Sequence, residues 1–210
     1  MTDFSLIETM RYEPDTGIVR ERLHLARLQR SAARLGFLGA DKAKAALAKT
    51  LEETQPAQPL RVRLTLSPTG EISITTAPFA PLAQSTMWRV RIAAQRLNSG
   101  DPLLRYKTSR RAVYDSARAE YSADQADEVL LLNEKDELCE GTITSCFVDD
   151  GSGVLKVPPI SSGLLAGVLR TQFICERRAR VQRLTLADLQ TGKLLMGNSL
   201  RGLISCRLEI

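Results

Sequence analysis

The sequence predicts an α+β fold made of two subdomains, and three observations carry this prediction. Short segments with alternating apolar and polar residues, typical of half-buried strands, recur along the chain. Two predicted helices follow one another early in the chain, the first from apolar residues at helical spacing and the second from its content of Ala, Lys and Leu. Pro78 and Pro81 then mark a boundary, which places the subdomains at residues 1–83 and 84–210.

The elements of the first subdomain follow from periodicity and from turn residues. A turn at 14–17 and a second turn at 67–70 each separate two strand-like segments, and Gly36 stands where a helix C-terminal cap belongs. The predicted elements are, in order, strands at 4–12 and 18–19, helices at 22–35 and 41–53, and strands at 61–66 and 71–76.

The second subdomain alternates short strands with helices. Its turns are marked by glycine and proline, as in the segment 150–153 and at Pro158 and Pro159. The predicted elements are a strand at 88–93, a helix at 112–121, strands at 128–132, 146–149 and 154–157, and a helix at 167–178. The end of the chain is predicted to alternate short strands with one more helix near Leu186.

The amino-acid composition and charge argue against several classes of protein. The chain has 210 residues, of which 43% are hydrophobic and 25% charged, and this is ordinary globular composition. A net charge of +5 is explained by solubility alone or by an anionic small-molecule ligand. The absence of a basic stripe, together with 5% aromatic residues, argues against nucleic acid. A single histidine and the absence of C-x-x-C pairs argue against a metal site. No membrane-spanning run or export signal is visible, so we expect a cytoplasmic protein.

Five features occur in a fixed order between residues 105 and 170. A lysine precedes a predicted helix, an Asp-Glu pair begins an apolar strand, and Glu-Gly, Pro-Pro and a Gly shortly before an Arg follow. Together with LIETMRY and HLARL near the N-terminus, this order resembles the class IV aminotransferase family, the fold-type-IV pyridoxal phosphate (PLP) enzymes. The resemblance implies the two-subdomain fold of D-amino-acid aminotransferase-like enzymes, with a shortened N-terminal part and PLP as cofactor.

The resemblance implies roles for residues that would hold the cofactor. Lys107 matches the Schiff-base lysine, which also serves as the proton shuttle. Glu140 matches the acid that faces the pyridine nitrogen and keeps it protonated. Arg27 matches the arginine on the cofactor phosphate. The resemblance places the remaining phosphate contacts at Gly167, Val168, Leu169 and Ser199.

Three further residues are candidates for the substrate, and two positions depart from the family pattern. Arg11 and Arg63 match positions that bind the substrate carboxylate, and Thr9 falls where the lyases of the family carry a threonine near the reacting carbon. Leu169 replaces a hydroxyl residue, so one side-chain hydrogen bond to the phosphate is missing. Arg110 replaces an asparagine that contacts the cofactor ring in many relatives.

Three functions remain open at this point. The first is a 4-amino-4-deoxychorismate lyase, which releases pyruvate and gives 4-aminobenzoate for folate biosynthesis. The second is a branched-chain or D-amino-acid aminotransferase, and the third is a non-catalytic homologue. The resemblance also implies a small anionic amine substrate, a homodimer, and for the lyase a functional link to aminodeoxychorismate synthase.

Overall fold

A computed structural model gives the positions of residues 4–209, and the chain divides into two units. Unit 1 extends to Pro81 and also contains Tyr106–Arg110, whereas unit 2 contains Leu82–Arg105 and the chain from Arg111 onward. Residues 1–3 and 210, which the predicted subdomains include at their ends, lie outside the described residues.

The segment around Lys107 groups with unit 1, whereas the sequence-based division places it in the C-terminal subdomain. The reason is backbone pairing: the carbonyl of Lys107 accepts a hydrogen bond from the N–H of Ile7 at 2.8 Å, and Thr108 forms a bridge with Leu6. Chain connectivity alone does not reveal this return to the first strand.

Within residues 4–81, unit 1 contains a four-stranded antiparallel sheet with the order β2-β1-β3-β4. The strands are β1 (Leu6–Glu13), β2 (Gly17–Ile18), β3 (Leu60–Leu66) and β4 (Ile72–Pro78), and the helices are α1 (Glu21–Leu35) and α2 (Ala43–Thr54). A short 3-10 turn at Ala40–Lys42 leads into α2. Gly36 ends α1 in the left-handed conformation with φ 73°, as the sequence predicts.

The two faces of this sheet differ in character because side chains alternate along a strand. Leu6 and Met10 of β1 and Val62 and Leu64 of β3 are buried in a core that includes Leu28 and other residues of the helices. The intervening residues of β1 and β3 project to the opposite face. That face is where three of the predicted site residues lie.

Within its described residues, unit 2 contains an eight-stranded sheet with the order β10-β9-β8-β11-β12-β5-β6-β7. An additional pairing of β7 with β8 closes the six strands from β8 through β7 into a ring. The elements are β5 (Met87–Leu97), α3 (Ala112–Ala119), β6 (Glu128–Asn133), β7 (Leu138–Gly141), β8 (Ser145–Asp149), β9 (Leu155–Val157), α4 (Val168–Cys175), β10 (Ala179–Val181), α5 (Leu186–Thr191), β11 (Lys193–Asn198) and β12 (Gly202–Leu208).

The predicted elements of unit 2 are present, with shifted ends. Strand β5 continues to Leu97, past its predicted end at residue 93. Helix α4 ends at Cys175 instead of residue 178, because Arg177 adopts a positive φ of 57° that a helix does not accept. The strand β7 was not predicted, since its four residues are too short to show alternation.

A buried carboxylate organises the turn between β7 and β8. Glu128 on β6 is 1% exposed and accepts hydrogen bonds from the backbone and hydroxyl of Thr142, from the N–H of Ile143 and from the hydroxyl of Thr144. Gly141 packs so closely on this carboxylate that a Cβ there would lie 2.7 Å from Glu128 Oε2. The acid therefore fixes the chain immediately after Glu140.

Replacing Glu128 with glutamine is expected to lower the free energy of unfolding by about 2 kcal/mol, because an amide nitrogen cannot accept the bonds that a carboxylate oxygen accepts. Urea unfolding followed through Trp88, the single tryptophan of the chain, measures the change. Glu52→Gln, at an exposed position of α2, is the matched control. An equal response of both variants would contradict the role assigned to Glu128.

Candidate functional site

A charged cluster lies between β1 and α1 in unit 1. Glu8 is 2% exposed, and its two carboxylate oxygens accept hydrogen bonds from Nε and Nη2 of Arg27 at 2.8 and 2.6 Å. His24, one helical turn before Arg27, lies with Nδ1 at 2.6 Å from Glu8 Oε2. The bidentate geometry is the strong form of the arginine–carboxylate pair. The predicted phosphate arginine is thus buried and held by an acid.

The charge state of this cluster follows from its contacts. Burial alone would raise the pKa of Glu8, but the charge and hydrogen bonds of Arg27 and His24 outweigh burial and lower the pKa to about 2. Burial lowers the pKa of His24, and the positive charges of Arg27 and Lys107 lower it further against the opposing effect of Glu8. The histidine is therefore neutral at pH 7, with Nδ1–H donating to the carboxylate.

Lys107 lies on the segment that pairs with the beginning of β1. Its backbone is fixed by Ile7, and the neighbouring Ser109 N–H donates to the carbonyl of Ser5 at 2.9 Å. The side chain is half-buried, and its charge influences His24. Unit 1 thus brings Lys107 close to the cluster formed by Glu8, His24 and Arg27.

The face of the unit 1 sheet opposite its core carries the three predicted substrate residues. Thr9 pairs with Arg63 in the β1–β3 register, and Arg11 pairs with Arg61. Directly opposed residues project to the same side with Cβ atoms about 5 Å apart. Arg61 and Arg63 are exposed, while Arg11 is half-buried, bridges to Glu13 at 3.0 Å and lies over the ring of Phe79. The result is a strongly cationic patch beside a hydroxyl.

Glu140 lies on β7 in unit 2 and is 5% exposed. Its Oε1 accepts hydrogen bonds from the hydroxyl of Tyr114 at 2.7 Å and from the N–H of Leu165 at 3.1 Å. Burial and the negative charge of Glu140 both raise the pKa of Tyr114, so the phenol keeps its proton and remains a donor. Arg111 stacks on the Tyr114 ring and donates to the carbonyl of Thr142 at 2.7 Å. These contacts fix the orientation of the carboxylate.

The start of helix α4 is the second predicted group of unit 2. Gly167 is the N-cap, and no side chain caps the helix there. The first N–H groups of a helix have no partner within the helix and form an anion site by their geometry. Ser145 on β8 packs so tightly against Gly167 that a Cβ on the glycine would overlap its hydroxyl. Ser199, at the end of β11, is 6% exposed.

Arg170 lies in the first turn of α4 and is 4% exposed. Its Nη2 donates to the carbonyl of Pro158 at 2.7 Å, whereas its Nε has no hydrogen-bond partner within residues 4–209. Burial lowers the pKa of this arginine, and the charge of Glu140 opposes the shift. A buried guanidinium thus stands near the carboxylate and the uncapped helix start.

The structure groups the predicted residues within each unit. Unit 1 contains Lys107, Arg27, Thr9, Arg11 and Arg63, and unit 2 contains Glu140, Gly167, Val168, Leu169 and Ser199. Arg110 is exposed and is the last residue of the Tyr106–Arg110 segment, which contains Lys107 and belongs to unit 1.

Sequence reasoning missed Glu8, Tyr114 and Ser145. The sequence pattern could have indicated Glu8, because alternate residues of a strand share a face and Glu8 lies between Leu6 and Met10 on the buried face of β1. No sequence pattern could have indicated Tyr114 or Ser145, because their contacts join elements that are distant in sequence.

Each unit, taken by itself, carries groups of the kind that bind a phosphorylated pyridine aldehyde such as PLP. Unit 1 contains an amine and a buried arginine. Unit 2 contains a fixed carboxylate, an uncapped helix start, hydroxyl groups and a buried arginine with an unsatisfied Nε. No cluster of three or more His, Cys, Asp or Glu side chains that could hold a metal ion occurs in the described part of the chain. Among the same residues, no helix has the length and apolar character needed to cross a membrane.

Comparison with known proteins agrees with this chemistry. Residues 5–208 match the model of the amino-transferase class IV family, and the chain belongs to that family. The members of this family are PLP-dependent enzymes, both aminotransferases and lyases. The predicted family, fold class and cofactor are thereby confirmed.

Solved structures show the same fold. A candidate amino-acid aminotransferase from Mesorhizobium loti is 46% identical, with 99% of this chain and 100% of that chain covered and a TM-score of 0.94. The 4-amino-4-deoxychorismate lyase from Pseudomonas aeruginosa is 22% identical over 97% and 82% of the two chains, with a TM-score of 0.81. The branched-chain aminotransferase from Thermoproteus uzoniensis is 20% identical over 98% and 78%, with a TM-score of 0.83. No curated protein matches the chain significantly.

Proposed function

We propose that this protein is a 4-amino-4-deoxychorismate lyase-like enzyme that releases pyruvate and gives 4-aminobenzoate. The observation that carries the proposal is the cationic patch on unit 1, where Thr9 stands opposite Arg63 and Arg11 stands opposite Arg61. The proposed substrate carries two carboxylates and one amine. Guanidinium groups bind carboxylates through paired hydrogen bonds, so several arginines suit a dianion better than a substrate with an apolar side chain.

The roles of the chain's own residues follow from their chemistry. Lys107 provides the amine that holds the cofactor and then takes the proton from the amine-bearing carbon of the substrate. Thr9 provides a hydroxyl near that carbon, and Glu140, held by Tyr114 and Leu165, keeps the ring nitrogen protonated. Bound PLP supplies an electron sink.

The cofactor phosphate has its own set of residues in the proposal. Arg27 provides the guanidinium, Gly167, Val168 and Leu169 provide backbone N–H groups at the start of α4, and Ser199 provides a hydroxyl. The support is that Gly167 begins an uncapped helix and that Arg27 and Ser199 are both buried polar residues.

An aminotransferase acting on a branched-chain or D-amino acid is the second candidate. The observation that favours it is the 46% identity to a protein described as a candidate amino-acid aminotransferase. The same lysine would move the proton, but the reaction would require a 2-oxo acid as amino acceptor. The two candidates therefore differ in whether a single substrate suffices.

The deciding experiment supplies the purified protein with PLP and 4-amino-4-deoxychorismate, and omits any 2-oxo acid. Pyruvate is measured with lactate dehydrogenase, and 4-aminobenzoate is measured by its fluorescence. Equal amounts of both products support the lyase. If the protein converts only amino acids, and only when a 2-oxo acid is present, the function is that of an aminotransferase and the lyase proposal is overturned. If the protein does not take up PLP, it is a non-catalytic homologue.

Replacing Arg63 with glutamine is expected to raise KM for the substrate about tenfold or more with a smaller effect on kcat, because a charge-assisted hydrogen bond contributes about 1.5–3 kcal/mol. Steady-state pyruvate release measures both constants. Arg34→Gln, at an exposed position of α1, is the matched control and should leave KM unchanged. An unchanged KM in Arg63→Gln would remove this arginine from the substrate site.

We also infer that the enzyme is a homodimer in the cytoplasm and that aminodeoxychorismate synthase supplies its small anionic amine substrate. These inferences are supported by the family to which the chain belongs. Size-exclusion chromatography with light scattering tests the dimer, and a monomer at assay concentration would overturn that part.

A further inference from the structure

Leu169 does not supply the hydrogen bond that a hydroxyl residue would supply at the start of α4. Its side chain is 1% exposed and packs in an apolar cluster with Phe147, Val157 and Phe173. One of its methyl groups also lies 2.9 Å from where a Cβ of Gly197 would stand. The residue thus belongs to the core of unit 2, and the helix start needs another donor if it binds an anion tightly.

Ser145 places a hydroxyl at the same helix start from a different element. It stands opposite Gly197 of β11 and opposite Glu140 of β7 in the sheet register. Because side chains alternate along β8, Ser145 shares a face with Phe147, which packs against Leu169. The close approach to Gly167 shows that the Ser145 hydroxyl lies against the N-cap of the helix.

Within residues 4–209, the Ser145 hydroxyl makes no hydrogen bond. The residue is 7% exposed. Polar groups buried to this degree are usually hydrogen-bonded. An unsatisfied hydroxyl beside uncapped helix N–H groups is an arrangement that an anion with several acceptor oxygens completes.

We propose that Ser145 binds the phosphate of PLP together with the first N–H groups of α4, and that it replaces the hydroxyl that Leu169 lacks. The inference rests on the PLP binding of the proposed function. The hydroxyl donates to a phosphate oxygen, and the glycine at position 167 is required because any side chain there would displace it.

The test compares PLP with pyridoxal, which has the same ring and aldehyde but no phosphate. Equilibrium dialysis measures both dissociation constants for the apoprotein and for Ser145→Ala. We expect the variant to bind PLP about tenfold more weakly and pyridoxal equally well, because the loss of a hydrogen bond to a charged group weakens binding by roughly this factor or more. Inorganic phosphate should also compete with PLP less effectively in the variant.

Ser205→Ala is the matched control, since Ser205 is an exposed serine on β12 of the same sheet. Equal weakening of PLP and pyridoxal by Ser145→Ala would assign a structural role to the serine and overturn the inference. Unchanged PLP affinity would overturn it as well while leaving the proposed function intact. Absence of PLP binding by the unmodified protein would overturn both.

Discussion

Replacing Lys107 with alanine is expected to lower pyruvate release by about a thousandfold or more, because the amine has two tasks in the proposed reaction. It forms the covalent bond to the cofactor, and it removes the proton from the substrate; general base catalysis alone contributes about 10²–10⁴-fold. The variant should fold normally, since what fixes this segment to β1 is the backbone of Lys107 and of its neighbours.

Borohydride reduction followed by peptide mapping gives the most direct readout. The unmodified protein should carry the reduced pyridoxyl label on Lys107, and Lys107→Ala should carry none. Lys107→Arg keeps the positive charge but cannot form the covalent bond, so it should also be inactive. Lys135→Ala, at an exposed position, should retain full activity. A label on the buried Lys156 instead would show that the lysine was assigned wrongly.

Replacing Glu8 with glutamine is expected to lower the free energy of unfolding by about 3–5 kcal/mol, the range found when one partner of a buried ion pair is removed. Arg27 would lose an ionic partner that contacts it through two nitrogens, and His24 would lose its charged acceptor. Both groups remain buried and would have to be accommodated without the carboxylate.

The pH dependence of stability provides a second readout of this cluster. The pKa of Glu8 is about 2 in the folded protein and 4.5 as a model value, so the folded state binds fewer protons between these values. The stabilisation is therefore complete above pH 4.5 and is lost as the pH falls toward 2. The lowered pKa of His24 acts in the same direction as the pH falls below 6.5. In Glu8→Gln, the free energy of unfolding should therefore fall less steeply as the pH is lowered below 4.5.

Urea unfolding followed by circular dichroism at several pH values measures both effects. Glu13→Gln is the matched control, because Glu13 lies on the same strand in a half-exposed ion pair with Arg11. Such pairs contribute about 0–1 kcal/mol. A loss in Glu8→Gln no larger than that of Glu13→Gln would contradict the buried cluster.

Periodicity and turn residues were sufficient to predict most of the fold. The α1 helix and the β3–β4 hairpin appear close to their predicted limits, because an amphipathic stripe with a glycine cap and a turn between alternating segments are local signals. The end of α4 and the strand β7 could not be predicted, because the first depends on one residue with positive φ and the second has only four residues, too few to show alternation.

The candidate site was predicted unevenly for the same reason. The order and context of motifs in the sequence were sufficient to propose Lys107 and Glu140 as site residues. The contacts that hold such groups could not be predicted in this way, since the Tyr114 hydroxyl reaches Glu140 from another element and Lys107 returns to β1 after the whole of β5. Position in a sequence motif indicates which residues matter, whereas only the fold shows what orients them.

The ring of strands in unit 2 also has a consequence for how the chain folds. To close the ring, β5 must pair in parallel with β12, so that Met87 pairs with Ser205 near the other end of the chain. Such a non-local contact is entropically expensive to form and slows folding. Until it forms, β5 and β12 each present an unpaired edge to other chains. We expect folding yield to depend strongly on protein concentration, with aggregation competing before the ring closes.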